Sequence, residues 1–258
     1  MSRVAFSILG INIYWYSLCI LLGVIIAYLL ITSEAKKHNI DKDTITDLIF
    51  YALIFGIVGA RIYYVIFNLD YYISNPSEIL KVWSGGLAIH GGVIFGIIFI
   101  YFFAKKKKLN FIKILDIAAP AVIIAQSLGR WGNFFNQEAH GAVTTLEILQ
   151  NMHLPKFIID GMYIDGNYYY PTFLFESIWC LIGFIILMII RKRKDIKIGV
   201  QAGFYFIWYS LARFFIEGLR TDSLMLFNLK VAQIVSILLI IIGIILIISS
   251  KKRDKYNS

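Results

Sequence analysis

Charged residues and cysteines are both scarce in this chain. Charged residues make up 16% of its 258 residues and hydrophobic residues 59%, whereas a typical soluble domain is about 25% charged. This composition excludes an ordinary soluble protein and predicts one membrane-embedded domain over residues 1–258. Cys19 and Cys180 each lie inside an apolar run, which excludes a disulfide framework and a CxxC site and predicts packing roles. No metal or other cofactor is predicted.

The sequence also lacks an internal repeat, which counts against a transporter built from repeated halves. A membrane span needs roughly 20 mainly apolar residues, and open strands cannot satisfy their backbone in lipid. The predicted spans are residues 15–32, 45–67, 87–104, 114–129, 172–190, 199–217 and 231–249. The predicted fold class is therefore an all-α integral membrane protein with about seven transmembrane helices.

Basic residues predict the orientation of these helices. Most of the 25 Lys and Arg residues fall in four blocks, at residues 36–42, 105–113, 191–197 and 251–255. Because cytoplasmic loops are rich in Lys and Arg, the N-terminus is predicted to lie outside and the C-terminus in the cytoplasm. The net charge of +9 is a topology signal of this kind, so the predicted partner is the lipid bilayer and no nucleic acid is expected.

One long segment, about residues 130–171, is predicted to form a small external head between the fourth and fifth spans. Segments of this length are usually functional. Alternation over Phe157–Tyr170 predicts a small hairpin, with turns at Asp160-Gly161 and Asp165-Gly166-Asn167.

Ionisable residues inside spans are costly, and each is a candidate for function. The candidates are Arg61, His90, Arg130, Glu138, Glu176, Arg213 and Glu217. By the predicted topology, all except Arg61 lie in the outer half of the membrane and can share one site. A buried ion pair can also simply hold two helices together.

The densest polar cluster follows the fourth span. Arg130, Asn133 and Asn136 or Gln137 recur every three or four residues, so a helix presents them on one face. A guanidinium fork with amides suits a phosphodiester headgroup, although a polar helix cap at the membrane surface is an alternative.

Two further spans carry polar groups. Tyr209, Arg213 and Glu217 form an i, i+4, i+8 stripe that Arg220 continues, which fits either phosphate binding or an ion pair without a ligand. His90 begins the third span with glycines beside it that allow close approach of a backbone or a headgroup. His90 is a candidate base, and a hydrogen-bonded packing role is the alternative.

Taken together, the motifs resemble the prolipoprotein diacylglyceryl transferase family. The string GRWGNFFNQEAHG, from Gly129 to Gly141, is similar to the signature segment of that family. Supporting matches in family order are Trp15-Tyr16, Gly59-Ala60-Arg61, Trp83 to Gly92, Asp116 with Pro120, Pro171 to Glu176, and Arg213 through Glu217 to Arg220. The segment before Pro171 is shorter than in longer family members.

The resemblance implies an enzyme of the bacterial cell membrane that moves diacylglycerol from phosphatidylglycerol to the lipobox cysteine of a prolipoprotein signal peptide. It also implies that Arg130 and Arg213 engage the lipid phosphate. The other catalytic candidates are His90, Tyr16, Glu138 and Glu217. The candidates for phosphatidylglycerol binding are Arg130, Arg213, Asn133, Asn136, Arg61, Gly141 and Tyr209. A lipid transporter or scramblase and a membrane scaffold are the alternatives from other classes.

Overall fold

The computed structural model describes residues 2–8, 10–219, 225–226 and 229–257. The helices are α1 Trp15–Lys37, α2 Lys42–Ile66, α3 Leu69–Ser74, α4 Ile89–Lys106, α5 Phe111–Asn136, α6 Leu146–Asn151, α7 Lys156–Gly161, α8 Thr172–Arg191, α9 Val200–Leu219 and α10 Val231–Ser250. The strands are β1 Val4–Ile8, β2 Ile11–Tyr14, β3 Val143–Thr144, β4 Tyr163–Ile164, β5 Asn167–Tyr169, β6 Met225–Leu226 and β7 Leu229–Lys230.

Every predicted span is helical, which confirms a mainly α-helical, multi-pass membrane protein. In the described part of the chain, 6 helices are long and apolar enough to cross a membrane, namely α1, α2, α4, α5, α8 and α10. The remaining long helix, α9, has 20 residues and carries the polar stripe of Tyr209, Arg213 and Glu217, which lowers its mean hydropathy. The seventh crossing and the orientation of the chain stay predictions.

The fourth predicted span is part of a longer helix than expected. Helix α5 has 26 residues, contains Pro120, and continues to Asn136. The polar cluster that begins at Arg130 therefore lies on the last turns of α5, and the head begins after Asn136 rather than at residue 130.

Asp116 ties the first part of α5 to the start of α9. Its carboxylate accepts hydrogen bonds from the backbone N–H groups of Gly199, at 2.5 Å, and Ala202, at 2.8 Å. A carboxylate in this position satisfies N–H groups that lack helical partners and interacts favourably with the helix dipole. Arg191 of α8 donates to the carbonyls of Asp116 and Ile117, at 2.9 and 3.0 Å. The ends of α5, α8 and α9 are thus joined by buried hydrogen bonds.

The chain divides into two compact units, residues 1–31 with 115–258, and residues 32–114. In the second unit α2 packs on α4 through glycines. A Cβ atom added to Gly91 would collide with the carbonyl oxygen of Gly59 and the Cβ of Tyr63. The sequence predicted that the glycines near His90 allow close approach of either a backbone or a headgroup. The structure shows the backbone of α2 in this position. Small residues allow this close packing of helices in lipid.

In the first unit, α9 packs against both α8 and α10. Gly203 of α9 and Gly243 of α10 face each other, and a Cβ atom on either would lie 2.7 Å from the carbonyl oxygen of the other. Cys180 is buried in a cluster with Ala119, Ile123 and Leu187, which is the packing role predicted for it. This close apolar packing lets α9 carry its polar stripe on a different face.

The segment between α5 and α8 forms a small head with a three-stranded antiparallel sheet in the order β3-β5-β4. Its buried core contains Phe134, Leu149, Ile158, Ile159, Met162 and Phe173. The predicted turn at Asp165-Gly166 joins β4 to β5, and both residues have positive φ angles, 48° and 86°, as tight hairpin turns require.

The first half of the predicted Phe157–Tyr170 hairpin is wrong, because residues 156–161 form the helix α7. A helical turn directs both Ile158 and Ile159 into the head core, whereas a strand would point neighbouring side chains to opposite faces. The short N-terminal hairpin of β1 and β2 was not predicted either.

We expect Gly91→Ala to lower the thermal stability of the purified protein, because the new methyl group has no room against Gly59 and Tyr63. Overpacking of this kind typically costs about 1–3 kcal/mol. The matched control is Gly96→Ala in the same helix, where the nearest atom to an added Cβ is 3.8 Å away. Unfolding in detergent followed by circular dichroism compares the two, and equal melting temperatures would contradict the packing described.

Candidate active site

Three helices of the first unit bring charged side chains together at Glu176. The side chain of Glu176, on α8, is 2% exposed and lies between two arginines. Arg130 of α5 donates through Nη2 to Oε1 at 2.5 Å, and Nη1 of Arg213 on α9 lies 3.6 Å from Oε2. The two arginines that the sequence placed in one site therefore face the same buried carboxylate.

The polar stripe of α9 faces this cluster. Nη2 of Arg213 lies 2.7 Å from the carboxylate of Glu217, and Nη2 of Arg130 donates to the hydroxyl of Tyr209 at 3.5 Å. Nη1 of Arg213 is buried and has no hydrogen-bond partner among the described residues. Within that part of the chain, this nitrogen is thus held only by its longer ion pair with Glu176.

The charges of the cluster balance. Two guanidinium groups meet the two carboxylates of Glu176 and Glu217, both nearly fully buried. Charges this close interact strongly where water is excluded, so removing either carboxylate would leave the arginines repelling each other.

A second set of hydrogen bonds extends from Arg130 toward the head. Nη1 of Arg130 donates to Oδ1 of Asn133 at 3.3 Å, and Nδ2 of Asn133 donates to Glu138 at 2.8 Å. Asn133 lies one helical turn after Arg130, as the spacing predicted. Tyr16 of α1 packs against Gly132, where an added Cβ would lie 2.8 Å from the ring.

A cavity begins where this chain of hydrogen bonds ends. Its volume is about 420 Å³, and its lining residues are Arg3, Tyr14, Tyr16, Ser17, Asn136, Gln137 and Glu138. Hydroxyl, amide, carboxylate and guanidinium groups face one space, so the cavity suits a small polar group with several hydroxyls. Three of the candidate residues, Tyr16, Asn136 and Glu138, meet here.

A reciprocal pair of serines fixes α5 against α8 beside the arginines. Oγ of Ser127 donates to the carbonyl of Ser177 at 2.8 Å, and Oγ of Ser177 donates to the carbonyl of Ser127 at 3.0 Å. The indole of Trp131 also donates to Oγ of Ser177 at 3.1 Å. Because Ser177 follows Glu176, these bonds hold the carboxylate at the level of Arg130.

Two candidates, Arg61 and His90, belong to the second unit. Arg61 donates to four backbone carbonyls, those of Glu78, Ile79, Gly85 and Gly86, at 2.6 to 2.9 Å. These contacts favour a role in holding the segment before α4 over the predicted lipid contact. His90 lies in the first turn of α4, with its ring centroid 6.3 Å from that of Tyr63.

Gly141 is buried under the residues that lead into α8. Its N–H donates to the carbonyl of Tyr170 at 3.0 Å, and an added Cβ would lie 2.8 Å from the Cβ of Tyr170. The structure therefore gives Gly141 a packing contact in the head. Arg220, which was predicted to continue the stripe of α9, lies outside the described residues.

The structure also shows what the sequence could not, the position of one candidate and the involvement of one further residue. Glu176 was recognised as a buried ionisable residue, but its position between two arginines depends on the packing of three helices. Arg3, which was not among the candidates, lines the cavity. Two arginines from different helices that share a buried site need a carboxylate between them. That requirement could have pointed to Glu176 from the sequence.

Comparisons with known proteins show the family to which the chain belongs. The family model described as prolipoprotein diacylglyceryl transferase matches residues 3–249. A phosphatidylglycerol–prolipoprotein diacylglyceryl transferase of Staphylococcus aureus (strain MSSA476) is 52% identical over 258 residues, which are 100% of this chain and 91% of the relative. The protein of that name from Clostridium novyi (strain NT) is 53% identical over 255 residues, covering 99% and 98% of the two chains. The chain belongs to the prolipoprotein diacylglyceryl transferase family.

Proposed function

We propose that this protein transfers the diacylglyceryl group of phosphatidylglycerol to the thiol of a lipobox cysteine in prolipoprotein signal peptides, in the bacterial cell membrane. This reaction is the first step of lipoprotein maturation. The observation that carries the proposal is the convergence of Arg130 and Arg213 on Glu176. Two guanidiniums at one buried point suit a lipid phosphate better than any other component of a membrane.

The reaction forms one bond and breaks one bond. The cysteine sulfur attacks the glyceride carbon that carries the phosphate, a carbon–sulfur thioether bond forms, and the carbon–oxygen bond to phosphate breaks. The electron pair of that bond goes to the phosphate oxygen, which leaves as glycerol phosphate, and the thiol proton goes to a base or to water.

Electrostatic stabilisation of the leaving phosphate is the main contribution of the arginine cluster. Negative charge grows on the phosphate as the carbon–oxygen bond breaks, and fixed guanidiniums in a site with little water stabilise that charge strongly. Arg213 supplies the donor Nη1 that has no hydrogen-bond partner among the described residues. Glu176 and Glu217 hold the guanidiniums in place before the lipid arrives.

The cavity beside Glu138 is proposed to receive the glycerol headgroup. Glycerol offers two free hydroxyls, and the carboxylate of Glu138, the amide of Asn136 and the hydroxyl of Tyr16 can bond to both. The hydrogen bonds from Glu138 through Asn133 to Arg130 connect the headgroup position with the phosphate position. A site of this kind discriminates between lipids by their headgroup hydroxyls.

His90 is proposed as the base for the thiol. An unperturbed cysteine thiol has a pKa of about 8.5, so part of it is already ionised near neutral pH. Proton removal therefore contributes less than stabilisation of the leaving phosphate, which is why the arginines are given greater weight.

A lipid transporter or scramblase could use the same arginines as an anion path. A peptide with a free thiol and phosphatidylglycerol with a labelled headgroup distinguish the two functions. Lipid-linked peptide with release of labelled glycerol phosphate supports the transferase. Movement of lipid between leaflets without either product would refute it, and neither activity would indicate a scaffold.

Arg130→Lys and Arg213→Lys should each reduce turnover by at least about 100-fold, because lysine cannot reproduce the two-pronged guanidinium contact. His90→Asn should leave measurable activity. Initial rates with labelled phosphatidylglycerol and a thiol peptide give the comparison. Equal losses in all three variants would contradict the order of importance proposed here.

Glu176→Gln should reduce kcat by about 10- to 100-fold, since the neutral amide no longer offsets the charges of Arg130 and Arg213. Glu147→Gln is the matched control, because Glu147 is an exposed carboxylate on α6. Activity of Glu176→Gln within twofold of the control, at equal folded fraction, would refute the role of Glu176.

Glu138→Ala should weaken headgroup selection. The unchanged protein is expected to prefer phosphatidylglycerol over phosphatidylethanol, which lacks the headgroup hydroxyls. In the variant the ratio of the two rates should fall about tenfold, as expected for one lost hydrogen bond to a charged group. Competition between the two lipids in one assay measures the ratio. An unchanged ratio would show that the cavity does not hold the headgroup.

A further inference from the structure

Helices α8 and α9 are joined by two tryptophans that bond to each other's backbone. The indole Nε1–H of Trp179 donates to the carbonyl of Trp208 at 2.9 Å, and the indole of Trp208 donates to the carbonyl of Trp179 at 2.9 Å. The rings are stacked, with centroids 4.4 Å apart and planes inclined by 21°. Each indole thereby finds an acceptor in a region where few polar partners exist.

This reciprocal arrangement permits one alignment of the two helices. The segment 192–199 connects α8 directly to α9, so the helices run antiparallel. Sliding one helix along the other lengthens both bonds together, because each donor sits beside the other's carbonyl. A shift by one residue is about 1.5 Å along the axis, which is enough to break both.

The packing around the pair supports the position of the Trp208 indole. Phe204 stacks on Trp208 with a centroid distance of 5.4 Å. Gly183 makes room on α8, since an added Cβ there would lie 2.5 Å from both Cδ1 and Nε1 of Trp208. The pair is therefore held by hydrogen bonds, by stacking and by the absence of a side chain at one position.

The pair lies close to the arginine cluster along both helices. Glu176 precedes Trp179 by three residues, and Arg213 follows Trp208 by five, which places them about 4.5 Å and 7.5 Å along the helix axes. In antiparallel helices these two offsets point the same way. The alignment that the tryptophans impose is thus the one that brings Arg213 within 3.6 Å of Glu176.

We propose that Trp179 and Trp208 are positioning residues for the transferase reaction, which set the place of Arg213 relative to Glu176 and Arg130. This rests on the proposed function. The indoles touch neither the arginines nor the cavity and act through the alignment of α8 with α9. Misplacement of a stabilising group by about 1 Å can cost 100-fold in rate, so a small slip of α9 is sufficient.

The test replaces Trp208 with β-(3-benzothienyl)alanine by site-specific incorporation, which keeps the shape of the indole but removes the N–H donor. We expect kcat to fall about tenfold, KM for phosphatidylglycerol to change less than twofold, and the folded fraction in gel filtration to stay the same. Trp179→Phe should behave similarly. Phe215→Leu, which alters an exposed aromatic residue of α9, should leave kcat unchanged.

Gly183→Ala provides a second variant that acts on the same pair from α8. Its methyl group displaces the indole of Trp208, so kcat should fall, and the near-ultraviolet circular dichroism of the stacked indoles should weaken. In a Trp208→Phe background the same substitution should reduce kcat by a smaller factor, because the indole is already gone and only the contact with Cδ1 of Ile123 remains.

The outcomes separate this proposal from the function on which it rests. If the unchanged protein produces no lipid-linked peptide, the proposed function fails whatever the tryptophan variants do. If the unchanged protein is active, then an unchanged kcat in the benzothienyl variant overturns the positioning role. A loss that merely follows the folded fraction, or that appears in KM alone, overturns it as well.

Discussion

The structure of the first unit depends on one buried carboxylate held between two guanidiniums. Arg130 and Arg213 come from different helices, and neither could approach the other in lipid without Glu176 between them. Taking these charges out of water is costly, and the cost is recovered only when all of them are in place. This requirement links the packing of α5, α8 and α9 to the chemistry proposed for the site.

The helical architecture could be predicted from the sequence because lipid allows few alternatives. Apolar runs with basic blocks between them identified all the long helices of the described residues, and most of their ends lie within about three residues of the predicted ones. The run with Asp116 and Pro120 is the instructive exception. Its span was predicted to end at residue 129, before the polar residues that follow, whereas the helix continues to Asn136. Its buried Asp116 is satisfied by the N–H groups of Gly199 and Ala202.

The candidate site could be predicted in part. Helical spacing placed Asn133 beside Arg130 and aligned Tyr209, Arg213 and Glu217, because these relations lie within one helix. The position of Glu176, the carbonyl contacts of Arg61 and the cavity with Arg3 depend on how separate segments pack. Local periodicity contains no information about those distances. The helix at 156–161 was missed for the same reason, since its burial depends on Leu149 and Phe173.

Helix α5 fixes the distance between two of its side chains, Asp116 and Arg130, that each bind another helix. It holds the start of α9 through Asp116 and reaches Glu176 through Arg130. The separation of 14 positions spans about 21 Å in nearly four whole turns. Both side chains therefore project from almost the same side of the helix. Insertion of a single residue between them would rotate one anchor by about 100° and separate it from its partner. The interval from Asp116 to Arg130 therefore has to keep its length.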